Sequence, residues 1–205
     1  MQMPPWDQRL ARVLVKPLVN SPVTPNQVTL FTLVLALAGA GMLATGQSFY
    51  ANLGVGLFVL ARFFDHFDGE LARQKQMTSR LGYYLDYLSG AGSYSALFVC
   101  MGVGFRNSEL GYWSIGLGLL GAAAAVFSMF INLDIDRVND AGTADSPDAV
   151  GYPGFAGFEL EDGIYLIAPI TWFGWLMPFF VVAAIGAGIY CLWSLAMLVV
   201  LRRRQ

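Results

Sequence analysis

Long apolar runs separated by short polar breaks fill most of the chain. A helix needs about 20 apolar residues to cross a bilayer. Six runs of roughly that length recur, at about 26–45, 49–73, 80–104, 111–133, 156–174 and 177–201. Several carry small residues, as in "LAGAGM" and "GLGLLGAAAA", which let membrane helices approach closely. The pattern predicts an all-α integral membrane protein, a six-transmembrane-helix bundle in which residues 1–205 form a single membrane domain.

Before the first run, residues 1–22 place Trp6, Leu10, Val13, Leu14 and Leu18 at near-helical spacing, with Arg9, Arg12 and Lys16 between them. That alternation predicts an interfacial amphipathic helix lying on the membrane surface. In "SPVTPNQVTL", Pro22 and Pro25 break this helix, and Thr24 or Asn26 can cap the next.

Composition narrows the class. Charged residues make up 13% of the 205, about half the usual soluble share, and the mean hydropathy is +0.55. The net charge of −2 is spread along loops, without a basic stripe suited to nucleic acid. Cys100 and Cys191 lie in apolar runs, so a disulfide framework and a CxxC metal site are both excluded. The N-terminus lacks the apolar core of a cleavable signal.

Charge also predicts orientation. With six spans and an inside N-terminus, Arg9, Arg12, Lys16, Arg73, Lys75, Arg80, Arg137 and Arg202 to Arg204 fall inside; Arg106 falls outside and Arg62 within a span. The positive-inside rule then places both termini in the cytoplasm, as in a bacterial inner-membrane protein. The segment 134–154 holds aspartates at 134, 136, 140, 145 and 148 and reads as a solvated loop, or as a lid over a cytoplasmic site.

The chemistry gathers in "DHFDGELARQKQMTSRLGYYLDYLSG", residues 65–90. Ionised carboxylates near a membrane core are costly unless paired, hydrated or bound to metal. Asp65 and Asp68 share a helical face with Gly69, Ala72 and Arg73, while Asp86 shares one with Gly82 and Gly90. A short basic loop joins the two spans as antiparallel neighbours, so the three aspartates converge in a cytoplasm-facing pocket. Hard oxygen donors favour magnesium, manganese or calcium. Arg73, Lys75 and Arg80 beside small residues suit a diphosphate. The plainer alternative is a charge-paired helix interface without a ligand.

The spacing of Asp65, Asp68, Gly69, Ala72, Arg73, Gly82 and Asp86 resembles the signature of CDP-alcohol phosphotransferases, DxxDGxxARx8GxxxDxxxD. "TPNQVT" and the six-span layout resemble the same family. The resemblance implies a lipid-synthesis transferase that moves a phospho-alcohol group, such as phosphatidyl, from a CDP-linked lipid donor to a hydroxyl acceptor and releases CMP. It implies Asp65, Asp68 and Asp86 as ligands of two Mg2+ or Mn2+ ions. It also implies Asn26, Gly69, Ala72, Arg73 and Gly82 as the nucleotide pocket, and it makes a homodimer an expectation that the glycine-rich faces permit.

One position departs. The family's last aspartate, a metal contact and general base, is Gly90 here. Glu161 or Asp162 at the start of the fifth span can replace it, and His66 is a further candidate base. Alternatively the acceptor carries its own acidic group, the chain binds metal and nucleotide without turnover, or Gly90 is an engineered inactivation. Arg62, deeper in the second span, is expected to pair with an acid or hold a phosphate. An ion-coupled transporter, in which the intramembrane acids carry ions, is the remaining alternative.

Overall fold

The computed structural model describes residues 6–138, 154–155 and 158–203, with side chains described over 9–138 and 163–203. Two short helices, α1 (Trp6–Leu14) and α2 (Lys16–Val19), lead into α3 (Pro25–Leu43). Then come α4 (Ser48–Lys75), α5 (Arg80–Gly104) and α6 (Trp113–Val138). After a two-residue antiparallel pairing of Gly154–Phe155 with Phe158–Glu159, a 3-10 segment (Leu160–Leu166) precedes α7 (Ile167–Trp172) and α8 (Leu176–Arg202).

The start of α3 follows its sequence signals. Thr24 is the N-cap: its hydroxyl accepts from Gln27 N, and the Gln27 side chain returns to Thr24 N at 2.9 Å. Pro25 occupies the first turn, where its missing N–H costs nothing.

Among the described residues, four helical stretches are long and apolar enough to cross a membrane: Pro25–Leu43, Arg80–Asn107, Trp113–Val138 and Leu176–Arg202. Helix α4 has the length, but its last half carries Arg62, Asp65, Asp68, Glu70, Arg73 and Lys75. The span expected over 156–174 takes a different form. Its described helical part is seven residues of 3-10 helix and six of α-helix. At rises of about 2.0 and 1.5 Å per residue these extend roughly 23 Å, short of a bilayer core of about 30 Å. Pro169 explains the break: it has no N–H to continue an α-helical ladder backward, and it is tolerated only in the first turn of α7.

Helices pack where side chains are small. A Cβ on Gly39 would lie 2.6 Å from Gly54 O, and one on Gly102 would lie 2.7 Å from Ser114 O, so α3 meets α4 and α5 meets α6 nearly backbone to backbone. The core between them contains Phe58, Leu97, Met101 and Phe180. Outside it, Phe31, Val34, Phe127, Val182 and Leu192 are exposed, an apolar surface suited to lipid.

Two expectations change. The α1–α2 segment docks on α4 through Ala11 of α1 and Val15, the residue between the two helices, both 0% exposed, against Phe67 and Leu71; Leu10, Val13 and Leu14 stay outside. Two small side chains allow the closer approach that a leucine stripe does not. Helix α6 also runs into the expected 134–154 loop. Asp134 pairs with Arg137 and Arg202, and Asp136 is buried against α5. Two phenolic donors reach Asp136 and offset the cost of burying it. Asp140, Asp145 and Asp148 lie outside the described residues.

Candidate metal and nucleotide site

Asp65 and Asp68 project from α4 one turn apart, and Asp86 from α5. Each offers a carboxylate oxygen within 4.8 Å of the others. Asp68 is buried and the other two are half-buried. Asp68 stands seven residues before the end of α4 and Asp86 six residues after the start of α5, so both lie about 9–10 Å inside the bundle. Asp68 and Asp86 therefore lie at a common depth, and Asp65 stands one turn deeper on α4.

Helix α3 brings two threonines to this group. Thr29 Oγ1 donates to Asp68 Oδ2, while Thr32 Oγ1 donates to Thr29 O at 2.8 Å and lies 3.4 Å from Asp65 Oδ1. Gly69 N reaches Asp68 Oδ1 at 2.6 Å. Arg62 pairs with Asp65 at 2.8 Å, and its guanidinium carbon lies 5.1 Å from the Tyr94 ring centre. The expected pairing of Arg62 with an acid is thus realised. Sequence reasoning missed the threonines, although Asn26, Thr29 and Thr32 recur at i, i+3 and i+6 on one face of α3.

The donor chemistry fits a hard divalent cation. Three carboxylates packed within 4.8 Å repel one another, and every candidate ligand atom is an oxygen. The α4 and α5 backbones carry the group, and the Thr29 hydroxyl orients the Asp68 carboxylate.

Other expected site residues arrange around this centre. Asn26 and Gly82 face each other across α3 and α5: a Cβ on Gly82 would lie 3.3 Å from Asn26 Oδ1. Ser79 caps α5, its Oγ accepting from Gly82 N at 3.0 Å. Gly69 and Ala72 are half-buried on α4. Arg73 is exposed and turned onto Glu70, donating through Nε at 3.1 Å and Nη2 at 2.9 Å. Lys75, expected near a diphosphate, instead holds the α2–α3 linker, its Nζ donating to Ser21 O and Val23 O at 2.7 Å each. The two chain breaks at proline leave those carbonyls without helical partners, and a flexible ammonium reaches both.

Among the described residues, His66 is half-buried and lies outside the carboxylate group. The side chains of Glu161 and Asp162 lie outside the described residues. At Gly90 a Cβ would meet nothing within 4 Å, so packing does not require glycine there.

The CDP-alcohol phosphatidyltransferase profile matches residues 22–200. The chain belongs to the CDP-alcohol phosphatidyltransferase family. Two curated relatives are each named bifunctional IPC transferase and DIPP synthase. The Rubrobacter xylanophilus protein is 42% identical over 34% of this chain, and the Thermococcus kodakarensis protein 35% identical over 56%. The matches span 15% and 26% of those longer proteins. Among solved structures, the Mycobacterium tuberculosis phosphatidylinositol phosphate synthase with CDP-DAG bound superposes with a TM-score of 0.69 at 20% identity, covering 93% of this chain and 94% of that one. The same enzyme in complex with manganese and citrate gives 0.65 at 20% identity, covering 92% and 88%. These likenesses establish the fold of this family member.

Proposed function

We propose that the chain is a CDP-alcohol phosphotransferase that moves a phospho-alcohol group, most simply phosphatidyl from CDP-diacylglycerol, to a hydroxyl acceptor and releases CMP. The observation that carries the proposal is the convergence of Asp65, Asp68 and Asp86 within 4.8 Å in a chain of this family. The CDP-DAG bound to a solved structure of the same fold supports the donor class.

In this reading Asp65, Asp68 and Asp86 hold two divalent ions, Mg2+ or Mn2+. When bound, these ions polarise the phosphoryl oxygens and stabilise the leaving CMP. Asn26 and Gly82 border the nucleotide, Gly69 and Ala72 leave room beside it, and Arg73 offers its guanidinium to the diphosphate. The acceptor oxygen forms a new bond to phosphorus, and the bond to the CMP oxygen breaks with its electron pair. The acceptor's proton passes to solvent, to an acidic group on the acceptor, or to Glu161 or Asp162. The chain works as a six-span protein of a bacterial inner membrane, with α4 and the short α7 region completing the bundle, and forms a homodimer. Both termini and the site face the cytoplasm, as the basic residues at the shared end of α4, α5, α6 and α8 suggest.

The test is calorimetric binding of CDP to the purified protein in detergent, with and without Mg2+ or Mn2+. Metal-dependent binding that Asp65→Asn removes is the expected result. Its absence from the unsubstituted chain under every metal rules the reading out. A second reading, binding without turnover, is favoured by Gly90 alone. A Cβ at position 90 meets no neighbour within 4 Å. Restoring a base there is expected to raise CMP release by about 10²-fold or more. If CDP binds but neither form releases CMP with any acceptor, the binding-only reading takes precedence.

A further inference from the structure

Glu70 sits between two guanidiniums that come from different parts of the chain. It is 5% exposed. Its Oε2 accepts from Arg73 Nε and Nη2, while its Oε1 accepts from Arg12 Nε at 3.2 Å and from Gln74 Nε2 at 2.8 Å. Gln74 Nε2 also donates to Arg12 O at 3.1 Å, which ties the α1 backbone to the end of α4. The Arg12 side chain is 68% exposed and that of Arg73 is 37% exposed.

One buried carboxylate is therefore shared by two guanidiniums, one from α1 and one from α4. If Glu70 and Arg73 formed a closed pair, withdrawing Arg73 would leave a buried carboxylate without a cation, which is costly. With Arg12 in place, Glu70 keeps a guanidinium when Arg73 leaves. We infer that Arg12 is a positioning residue for Arg73: by sharing Glu70, it releases Arg73 to bind an anionic diphosphate. The inference rests on the nucleotide reading proposed above and makes helix α1 part of the site's affinity.

The experiment is CDP titration by calorimetry, with saturating Mn2+, on the full chain and on Arg12→Gln, Arg12→Lys, Glu70→Gln and the double variant Arg12→Gln/Glu70→Gln. Arg12→Gln weakens binding about two- to fivefold, the size expected of an exposed ion pair. Arg12→Lys stays near the unsubstituted chain because the charge is kept. Glu70→Gln has the opposite sign and tightens binding, since it frees Arg73, and in that background Arg12→Gln has no further effect. A role confined to docking α1 gives a different pattern, in which Arg12→Gln and Glu70→Gln both weaken binding; that result overturns the inference. So does an Arg12→Gln variant with unchanged affinity. If Glu70→Gln does not fold, equal losses in Arg12→Gln and Arg12→Lys overturn it as well. Failure of the unsubstituted chain to bind CDP with metal brings down the nucleotide reading and this inference together, whereas normal binding with an inert Arg12 removes only the inference.

Discussion

Helix α5 carries two acidic environments on neighbouring faces, and they behave as opposites. On one face Asp86 joins Asp65 and Asp68, three carboxylates within 4.8 Å. On the next, Tyr83 and Tyr87 both donate to Asp136 Oδ2, at 2.9 and 2.5 Å, and Asp136 is 0% exposed. The Asp136 group has one carboxylate and two phenolic donors, so it holds α6 against α5 without a ligand. The aspartate triad crowds three carboxylates together, which is the electrostatic condition that favours a cation. Burial alone does not separate a structural acid from a ligand. The crowding of like charges does.

The largest expected effect breaks the triad. Asp68→Asn lowers metal-dependent CDP binding by about 100-fold or more, beyond the 10–100-fold typical of losing an outer-shell partner. The metal-free protein is no less stable, because a repulsion is removed. Calorimetry and thermal unfolding in detergent read the two halves of this prediction. The matching substitution at the other acid has the reverse profile. Asp136→Ala leaves two half-buried phenols without their acceptor and destabilises by about 2 kcal/mol, seen as a lower unfolding temperature, while CDP affinity of the folded protein stays near that of the unsubstituted chain. A large loss of affinity without loss of stability would falsify the division.

Two smaller changes sharpen it. Thr29→Val removes the hydroxyl that donates to Asp68 and lowers Mn2+ affinity about tenfold, measured by metal titration with CDP held constant. Tyr83→Phe removes one of the two donors to Asp136. It costs about 1 kcal/mol in unfolding free energy, the usual size for a single hydrogen bond, with metal affinity unchanged.

Much of this was legible before any coordinates. The spacing of Asp65, Asp68 and Asp86 pointed to their convergence, but α4 and α5 do not pack closely as the expected pair of neighbours: α3 packs against both, and the three carboxylates meet beside it. The capping box at Thr24 and Gln27 and the close contact of Gly39 with Gly54 likewise follow local rules. The broken form of the fifth apolar run was not legible, because hydropathy counts Pro169 as only one weakly placed residue, whereas its missing N–H reorganises the backbone around it. The hold of Lys75 on the α2–α3 linker was not legible, because a long side chain reaches carbonyls more than fifty residues away in sequence and no pattern within α4 announces that.

By itself, then, the sequence determined the apolar helices, the caps and the aspartate spacing, since each depends on residues within a few turns of one another. Only the tertiary structure decided which acids share a cation-favouring centre with α3 threonines, which acid is quenched by tyrosines, and that Arg12 and Arg73 divide one buried Glu70. Those outcomes depend on how helices rotate and dock, and docking is governed by contacts between distant segments whose energies no local pattern encodes.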